Sequence, residues 1–461
     1  MKIHGVRMGL ATNSSSSHSL IFLPDAADRD VSSAEFGWSH FTAASTKARR
    51  DYLALTLHSA LCAAVGEDIA ELVTAAWVGQ SAPKDGSVDH QSQYVMPQRW
   101  DGRCIDKDFF DDFSAFMLQK GLVILGGNDN DDGHEHPLAD GTEFTLPLPR
   151  DEHGAAYVAR KDGTYWAVFN RKNGTKIRFS FERDAAPPMR ATLPELVDVK
   201  ITDLCTRGCL FCYQDSTPRG EHASRGVLDV LACALGQARV FEVAIGGGEP
   251  TAHPDFVQVL RDFRTWGVVP SFTTRSLAWL RDPSIWCQAL MHAGAFALTV
   301  ATGEEVMGLA ALLHVNGIDP DRAGVQYVMG MGDLENVLLA CGDVGLRVTL
   351  LGYKRVGRGA NVQPGDYSHW LSVVRRAQER NCALQVAIDT TLAAESGAAL
   401  SAEGVPDLFY ETKDGRFSMY VDAVAWTAAP SSYCDPSLFR PLPKYLDVAR
   451  LGEMFRAFGG T

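Results

Sequence analysis

Three thiols lie within eight residues at Cys205, Cys209 and Cys212, in the run Cys-Thr-Arg-Gly-Cys-Leu-Phe-Cys-Tyr. Thiolate is the usual protein ligand of iron–sulfur clusters. Three thiolates on one loop match three irons of a four-iron cluster and leave the fourth iron to bind a substrate or cofactor. The thiols must ionise to bind iron, and the cationic Arg207 between them favours that form. A structural zinc site asks for four ligands, usually in two C-x2-C pairs, and the chain holds no second pair.

The C-x3-C-x2-C spacing, with Phe211 before the last cysteine and Tyr213 after it, closely resembles the radical S-adenosylmethionine (SAM) superfamily. A second motif strengthens the match: Gly246-Gly247-Gly248-Glu249-Pro250 stands about one βα unit downstream. The resemblance implies that the three cysteines ligate one [4Fe–4S] cluster whose open iron chelates SAM. It implies that Gly247, Gly248 and Glu249 receive the SAM ammonium, and that Phe211 and Tyr213 lie on the adenine side. Reductive cleavage of SAM would then give a 5′-deoxyadenosyl radical that abstracts hydrogen from a substrate.

Further candidates follow in chain order. Thr273-Thr274-Arg275 stands where relatives carry Thr-Thr-Asn-Gly, so Thr273 or Thr274 is expected near the SAM ribose or carboxylate, with Arg275 a departure. Thr299, Thr302 and Gln326 are possible SAM contacts. Leu351 opens the segment where relatives touch the adenine, and Lys354, Arg355 and Arg358 just after it form a basic patch suited to an anionic substrate. Candidate hydrogen donors to a substrate radical are Tyr353, Tyr420 and Cys434.

These residues need a scaffold that brings distant loops to one rim. From Leu196 onward short apolar runs alternate with amphipathic helical patterns. Strands are expected at 196–203, 240–245, 268–274, 295–300, 324–329 and 346–352. Helices are expected near 223–237, 254–265, 283–292, 303–314, 333–344 and 366–380. Such crossovers make a parallel sheet of right-handed βαβ units. The fold class is therefore α/β, and the resemblance implies a partial (β/α)6 parallel barrel over residues 191–382. Catalytic groups belong at the C-terminal strand ends of such a sheet, and both motifs fall there.

Residues 1–190 read as an α+β region, a candidate for substrate recognition. It holds a helix over 45–65 with Leu53, Leu57, Leu61 and Ala64 on one stripe, a short strand at 20–23, and a β-meander over 155–181 marked by Asp-Gly and Asn-Gly turns. The polar run 126–136 has no carboxylate at the last EF-hand position; a divalent-metal site from His18, Asp89, His90 and Asp129 is conceivable beside the plainer reading of a solvated loop. Residues 383–461 read as a small C-terminal cap with strands near 384–388 and 417–426. It resembles the auxiliary-cluster extension of some relatives without that extension's cysteines, since Cys382 and Cys434 are too few for another cubane.

The chain has 461 residues, 46% of them hydrophobic, and a net charge of −13, which argues against non-specific nucleic-acid binding. No apolar run approaches a membrane span, and the absence of a secretory signal points to the cytoplasm. Three substrate readings stand: a ribosomally synthesised peptide, a small molecule or nucleotide with an anionic group, and a redox sensor without turnover. An enzyme of this kind implies a cellular electron donor such as flavodoxin or ferredoxin.

Overall fold

The computed structural model describes residues 2–7, 18–20, 35–36, 41–43, 45–88, 114, 118, 124–126, 157–172, 174–180, 186–381, 383–405 and 409–458. Its strands in chain order are β1 (Lys2–Arg7), β2 (His18–Leu20), β3 (Glu35–Phe36), β4 (Phe41–Ala43), β5 (Ser87–Val88), β6 (Ile124–Gly126), β7 (Tyr157–Asp162), β8 (Tyr165–Asn170) and β9 (Lys176–Ser180). They continue as β10 (Leu196–Thr202), β11 (Glu242–Gly247), β12 (Val269–Thr274), β13 (Phe296–Val300), β14 (Ala323–Val328), β15 (Arg347–Leu351), β16 (Val386–Ile388), β17 (Ser418–Asp422), β18 (Thr427–Ala429) and β19 (Arg440–Pro441).

The chain divides into two compact units. The smaller comprises Met1–Ile3, Ile21–Arg150 and Phe179–Ala185. Within it the helix Thr46–Val65 begins at Ser45, whose hydroxyl accepts from the Ala48 N–H at 3.0 Å. Of its stripe, Leu53 and Leu57 are fully buried and Leu61 nearly so. The polar run 126–136 and the proposed ligands Asp89, His90 and Asp129 lie outside the described residues, except for Gly126 at the end of β6.

The larger unit carries an eleven-stranded sheet in the order β19-β18-β17-β10-β11-β12-β13-β14-β15-β16-β2. All six expected strands are present with ends within two residues of those expected, and the six helices follow at Arg225–Gln237, Phe256–Thr265, Pro283–His292, Gly303–Asn316, Leu334–Val344 and Trp370–Arg380. The α/β parallel architecture is confirmed, and the sheet is larger than six strands. Eight strands, β17 and β10 to β16, run parallel.

Four of the five extra strands come from the tail, which is built into the sheet rather than laid over it, and the fifth, β2, pairs antiparallel with β16 at the edge. Residues 386–388 extend it beyond β15, and β17 returns to lie parallel to β10 on the other side, with Asp198 opposite Tyr420. The sheet curls, because Lys354 after β15 stands over the ring of Tyr213 after β10, at 4.8 Å, although four strands separate β15 from β10.

Period-two alternation decides what faces the interior. In β10, Val197, Val199 and Ile201 are fully buried among apolar neighbours, while Asp198 and Lys200 turn into a central pocket. Phe272 of β12 packs edge-on against Phe256 and Trp279 at 4.9 and 5.2 Å, and Thr273 beside it lines the pocket. Each such aliphatic or aromatic side chain contributes about 1.5–3 kcal/mol by leaving water.

The meander β7-β8-β9 forms as expected, yet it lies at the opposite end from the cysteine loop. Glu195, just before β10, accepts from Arg178 Nη2 at 2.8 Å and from Tyr165 Oη at 3.0 Å, and pairs with Lys176 at 3.0 Å. Phe169 stacks on Phe241, just before β11, at 5.4 Å. These anchors sit at N-terminal strand ends, so this part of the N-terminal region is no wall of the cysteine pocket. No helix among the described residues is long and apolar enough to cross a membrane.

Candidate functional site

Cys205, Cys209 and Cys212 follow β10 at its C-terminal end and line one pocket. Their loop is pinned by backbone hydrogen bonds: Cys205 N–H donates to Thr217 O at 2.9 Å, and Cys212 N–H to Cys209 O at 3.2 Å. Gly208 takes a left-handed conformation, φ +65°, which the turn between the first two thiols requires. Arg358 supplies the outside brace. Its Nε donates to Cys209 O at 3.1 Å, its Nη1 to Ser216 O at 2.7 Å, and its backbone N–H to Cys212 O at 3.0 Å.

Among the described residues, no three His, Cys, Asp or Glu side chains converge on a single metal ion. A cubane asks for a different arrangement, one thiolate on each of three irons. The fit is otherwise good: three thiols face one space on a braced loop, and a second set of polar groups faces them. Burial pushes the Cys205 thiol up, with Glu249 and the neighbouring thiols adding to it, while the Arg207 backbone N–H pulls the other way. A cationic iron centre would reverse that balance.

Gly246, Gly247, Gly248 and Glu249 end β11 on the same pocket. The glycines are needed for two different reasons. A Cβ on Gly247, at φ +116°, would stand 2.4 Å from Thr202 O, and one on Gly248 would stand 2.2 Å from Leu204 O. Those two lie against the backbone leading to Cys205, to which Gly248 N–H donates (Thr202 O, 2.7 Å). Only Gly246 has open space where its Cβ would be, so close approach by a ligand is a reason for glycine at that one position.

Glu249 is buried and turned inward. Its Oε1 accepts from Thr251 Oγ1 and Thr274 Oγ1, both at 2.6 Å, and from Thr251 N–H at 3.3 Å. Its Oε2 accepts from Arg275 N–H at 3.0 Å. The carboxylate therefore staples the ends of β11 and β12 together. Thr274 is spent on that staple. Thr273 instead accepts from Gln326 Nε2 at 3.1 Å, joining β12 to β14 on the pocket floor.

Phe211, Tyr213, Thr299 and Leu351 also line the pocket. Thr302 does not; its hydroxyl caps the helix Gly303–Asn316. Tyr353 donates its hydroxyl to Gly359 O at 2.8 Å, and the Cys434 thiol donates to Ser431 O at 3.2 Å. Neither belongs to the lining, whereas Tyr420 does. Burial, with Asp422 and Asp198, holds the Tyr420 phenol well above its usual value, and its hydroxyl donates to Gln214 Oε1 at 3.3 Å.

The basic patch separates on folding. Arg358 is committed to the cysteine loop, and Arg355 is exposed beside the Tyr353 ring. Lys354 is buried in the pocket wall, 3.6 Å from Asp389 Oδ2 and 4.6 Å above the Tyr433 ring. Burial works against its charge, yet Tyr213, Asp389, Asp198 and Asp414 together hold it above the ordinary lysine value. Sequence reasoning missed two features of this wall. One is the ion pair of Lys200 with Asp422, 2.8 Å across β10 and β17. The other is Gln214, whose partner Tyr420 lies 206 positions away in sequence. The alternating polar residues of β10 were the available signal. About 1040 Å³ of empty space, open solvent at the mouth included, lies among these residues.

No family model and no curated protein sequence matches the chain. Among solved structures it is similar to SuiB of Streptococcus suis bound to S-adenosylmethionine, at 14% identity over 60% of this chain and 82% of that one, with a TM-score of 0.43. It is similar also to SuiB bound to the precursor peptide SuiA, at 14% identity, the same coverage and a TM-score of 0.45. A third is BtrN in complex with AdoMet and 2-DOIA, at 10% identity over 58% of this chain and 86% of that one, with a TM-score of 0.33.

Proposed function

We propose that this chain is a radical SAM enzyme: Cys205, Cys209 and Cys212 hold one [4Fe–4S] cluster, and the pocket beside them takes SAM. The observation that carries the reading is the placement of both motifs on one pocket at the C-terminal rim of a parallel sheet. The resemblance in sequence thus extends to position in the fold. When bound, the cluster supplies the electron that cleaves SAM to methionine and a 5′-deoxyadenosyl radical, which takes a hydrogen atom from the substrate.

The chain's own residues bind, orient and shield. Glu249 fixes the Gly246–Gly248 segment, whose pocket-facing backbone is the natural acceptor for the SAM ammonium. Thr273 and Gln326 offer a paired hydroxyl and amide to the ribose or carboxylate. Phe211, Tyr213 and Leu351 supply apolar surface for the adenine. Arg358 holds the cysteine loop in register. Tyr420, on the pocket wall, is better placed than Tyr353 or Cys434 to return a hydrogen atom to a substrate radical.

The substrate we favour is a ribosomally synthesised peptide, with a cellular electron donor such as flavodoxin or ferredoxin. A small molecule held by an anion clamp is the second reading, and the commitment of Arg358 to Cys209 and of Lys354 to Asp389 weighs against it. A sensor without turnover has no use for the polar SAM wall. The test is anaerobic reconstitution with iron and sulfide, addition of SAM and dithionite, and chromatography for 5′-deoxyadenosine, followed by mass spectrometry of candidate peptides. Iron-loaded protein that yields no 5′-deoxyadenosine overturns the enzymatic reading.

A further inference from the structure

One cation on the pocket is aimed at a thiol. Arg275 Nη1 lies 3.5 Å from Cys209 Sγ, within hydrogen-bond reach of a sulfur acceptor. The other arm of the same guanidinium, Nη2, pairs with Glu305 Oε1 at 3.3 Å. Glu305 is itself fixed, since its Oε2 accepts from Ala301 N–H at 2.6 Å. The Phe211 ring lies 5.4 Å from the guanidinium carbon, and the Arg275 backbone N–H is held by Glu249 Oε2. Three anchors on three segments (Glu305, Phe211 and Glu249) thus set a planar, permanently charged fork with one prong on the middle cysteine.

We infer that Arg275 is a positioning residue that sets the reduction potential of the cluster held by Cys205, Cys209 and Cys212. The inference rests on the proposed function for the presence of that cluster. Hydrogen bonds to cluster sulfurs and net local charge are two of the levers on an iron–sulfur potential. One added electron increases the negative charge on the ligating sulfurs, so a cationic donor at Cys209 stabilises the reduced form more than the oxidised one. The midpoint rises, and a weaker donor suffices to deliver the electron. Glu305 opposes this by partly neutralising the guanidinium, which makes the pair an adjustable element rather than a bare charge. A lysine offers no such planar fork, because its ammonium is a compact point charge.

The experiment is an EPR-monitored redox titration of anaerobically reconstituted full-length protein without SAM, with iron counted in the same samples. Wild type tests the underlying reading: a reducible cubane signal with about four irons per chain supports it, and no such signal overturns it. Arg275 is tested by the order of midpoints. Arg275→Met should be most negative, Arg275→Gln and Arg275→Lys intermediate, and Glu305→Gln more positive than wild type, all at wild-type iron content. Glu305→Gln leaves Cys209 and its donor in place, so it decides the matter should the arginine variants assemble poorly. Coincident midpoints for wild type, Glu305→Gln and any loaded arginine variant overturn the assignment, as does a positive shift on loss of Arg275.

Discussion

The staple at Glu249 gives the sharpest test of how the two motifs are held together. Replacing it with glutamine keeps the size and one oxygen. The amide oxygen can still accept from Thr251 Oγ1 and Thr274 Oγ1, which now approach at 2.6 Å. The amide nitrogen must then face the Arg275 N–H, now bound to a carboxylate oxygen at 3.0 Å. One charge-assisted hydrogen bond is lost and a donor is set against a donor in a site that is only 8% exposed. A hydrogen bond to a charged group contributes about 1.5–3 kcal/mol, and an orphaned buried donor costs a similar amount, so Glu249→Gln should destabilise by about 2–4 kcal/mol. Thr274→Val removes a partner of the same carboxylate and should cost about 1–2 kcal/mol alone. The double variant should then lose less than the sum by about 1–2 kcal/mol, since both changes break one network. Urea unfolding of the iron-free protein measures all three without reference to activity. A loss below about 0.5 kcal/mol for Glu249→Gln, or strict additivity in the double variant, would refute the staple and return Glu249 to the role of a direct ammonium ligand.

Replacing Cys205, Cys209 or Cys212 singly with alanine should abolish the visible iron–sulfur absorbance and 5′-deoxyadenosine formation while leaving the urea midpoint of the iron-free protein near wild type. Gly247→Ala should destabilise by at least about 2 kcal/mol, because φ is +116° and the new carbon meets Thr202 O; Gly246→Ala should fold normally and weaken SAM binding, as isothermal titration on loaded protein would show. Burial pushes the Asp414 carboxyl up from 3.8 to about 6 despite the hydroxyl that Tyr433 donates to it. A raised folded value means that its contribution is full below pH 3.8 and lost as pH rises through 6, a difference of up to about 3 kcal/mol at 1.36 kcal/mol per unit. Asp414→Asn should therefore gain stability relative to wild type between pH 4 and pH 7, and a gap that shrinks over that interval would contradict the assignment.

The sequence by itself determined the local chemistry. Three thiols within eight residues, a Gly-Gly-Gly-Glu run and the alternation of strand and helix are short-range patterns, readable because ligand spacing and backbone periodicity act over a few residues. The six core strands and six helices, the helix behind Ser45 and the meander were legible for the same reason. Tertiary structure decided what each long-range partner does. That Glu249 meets Thr274, that Arg358 braces Cys209, and that Lys354 is paired in a wall rather than offered as a clamp all depend on how the curled sheet brings separate strand ends together. It also decided that the tail adds strands on both sides of the core, which places Tyr420 on the pocket and leaves Cys434 off it. Charge and hydroxyl groups are satisfied by whatever stands opposite them on folding, and in a parallel sheet that neighbour comes from a strand at least a crossover away.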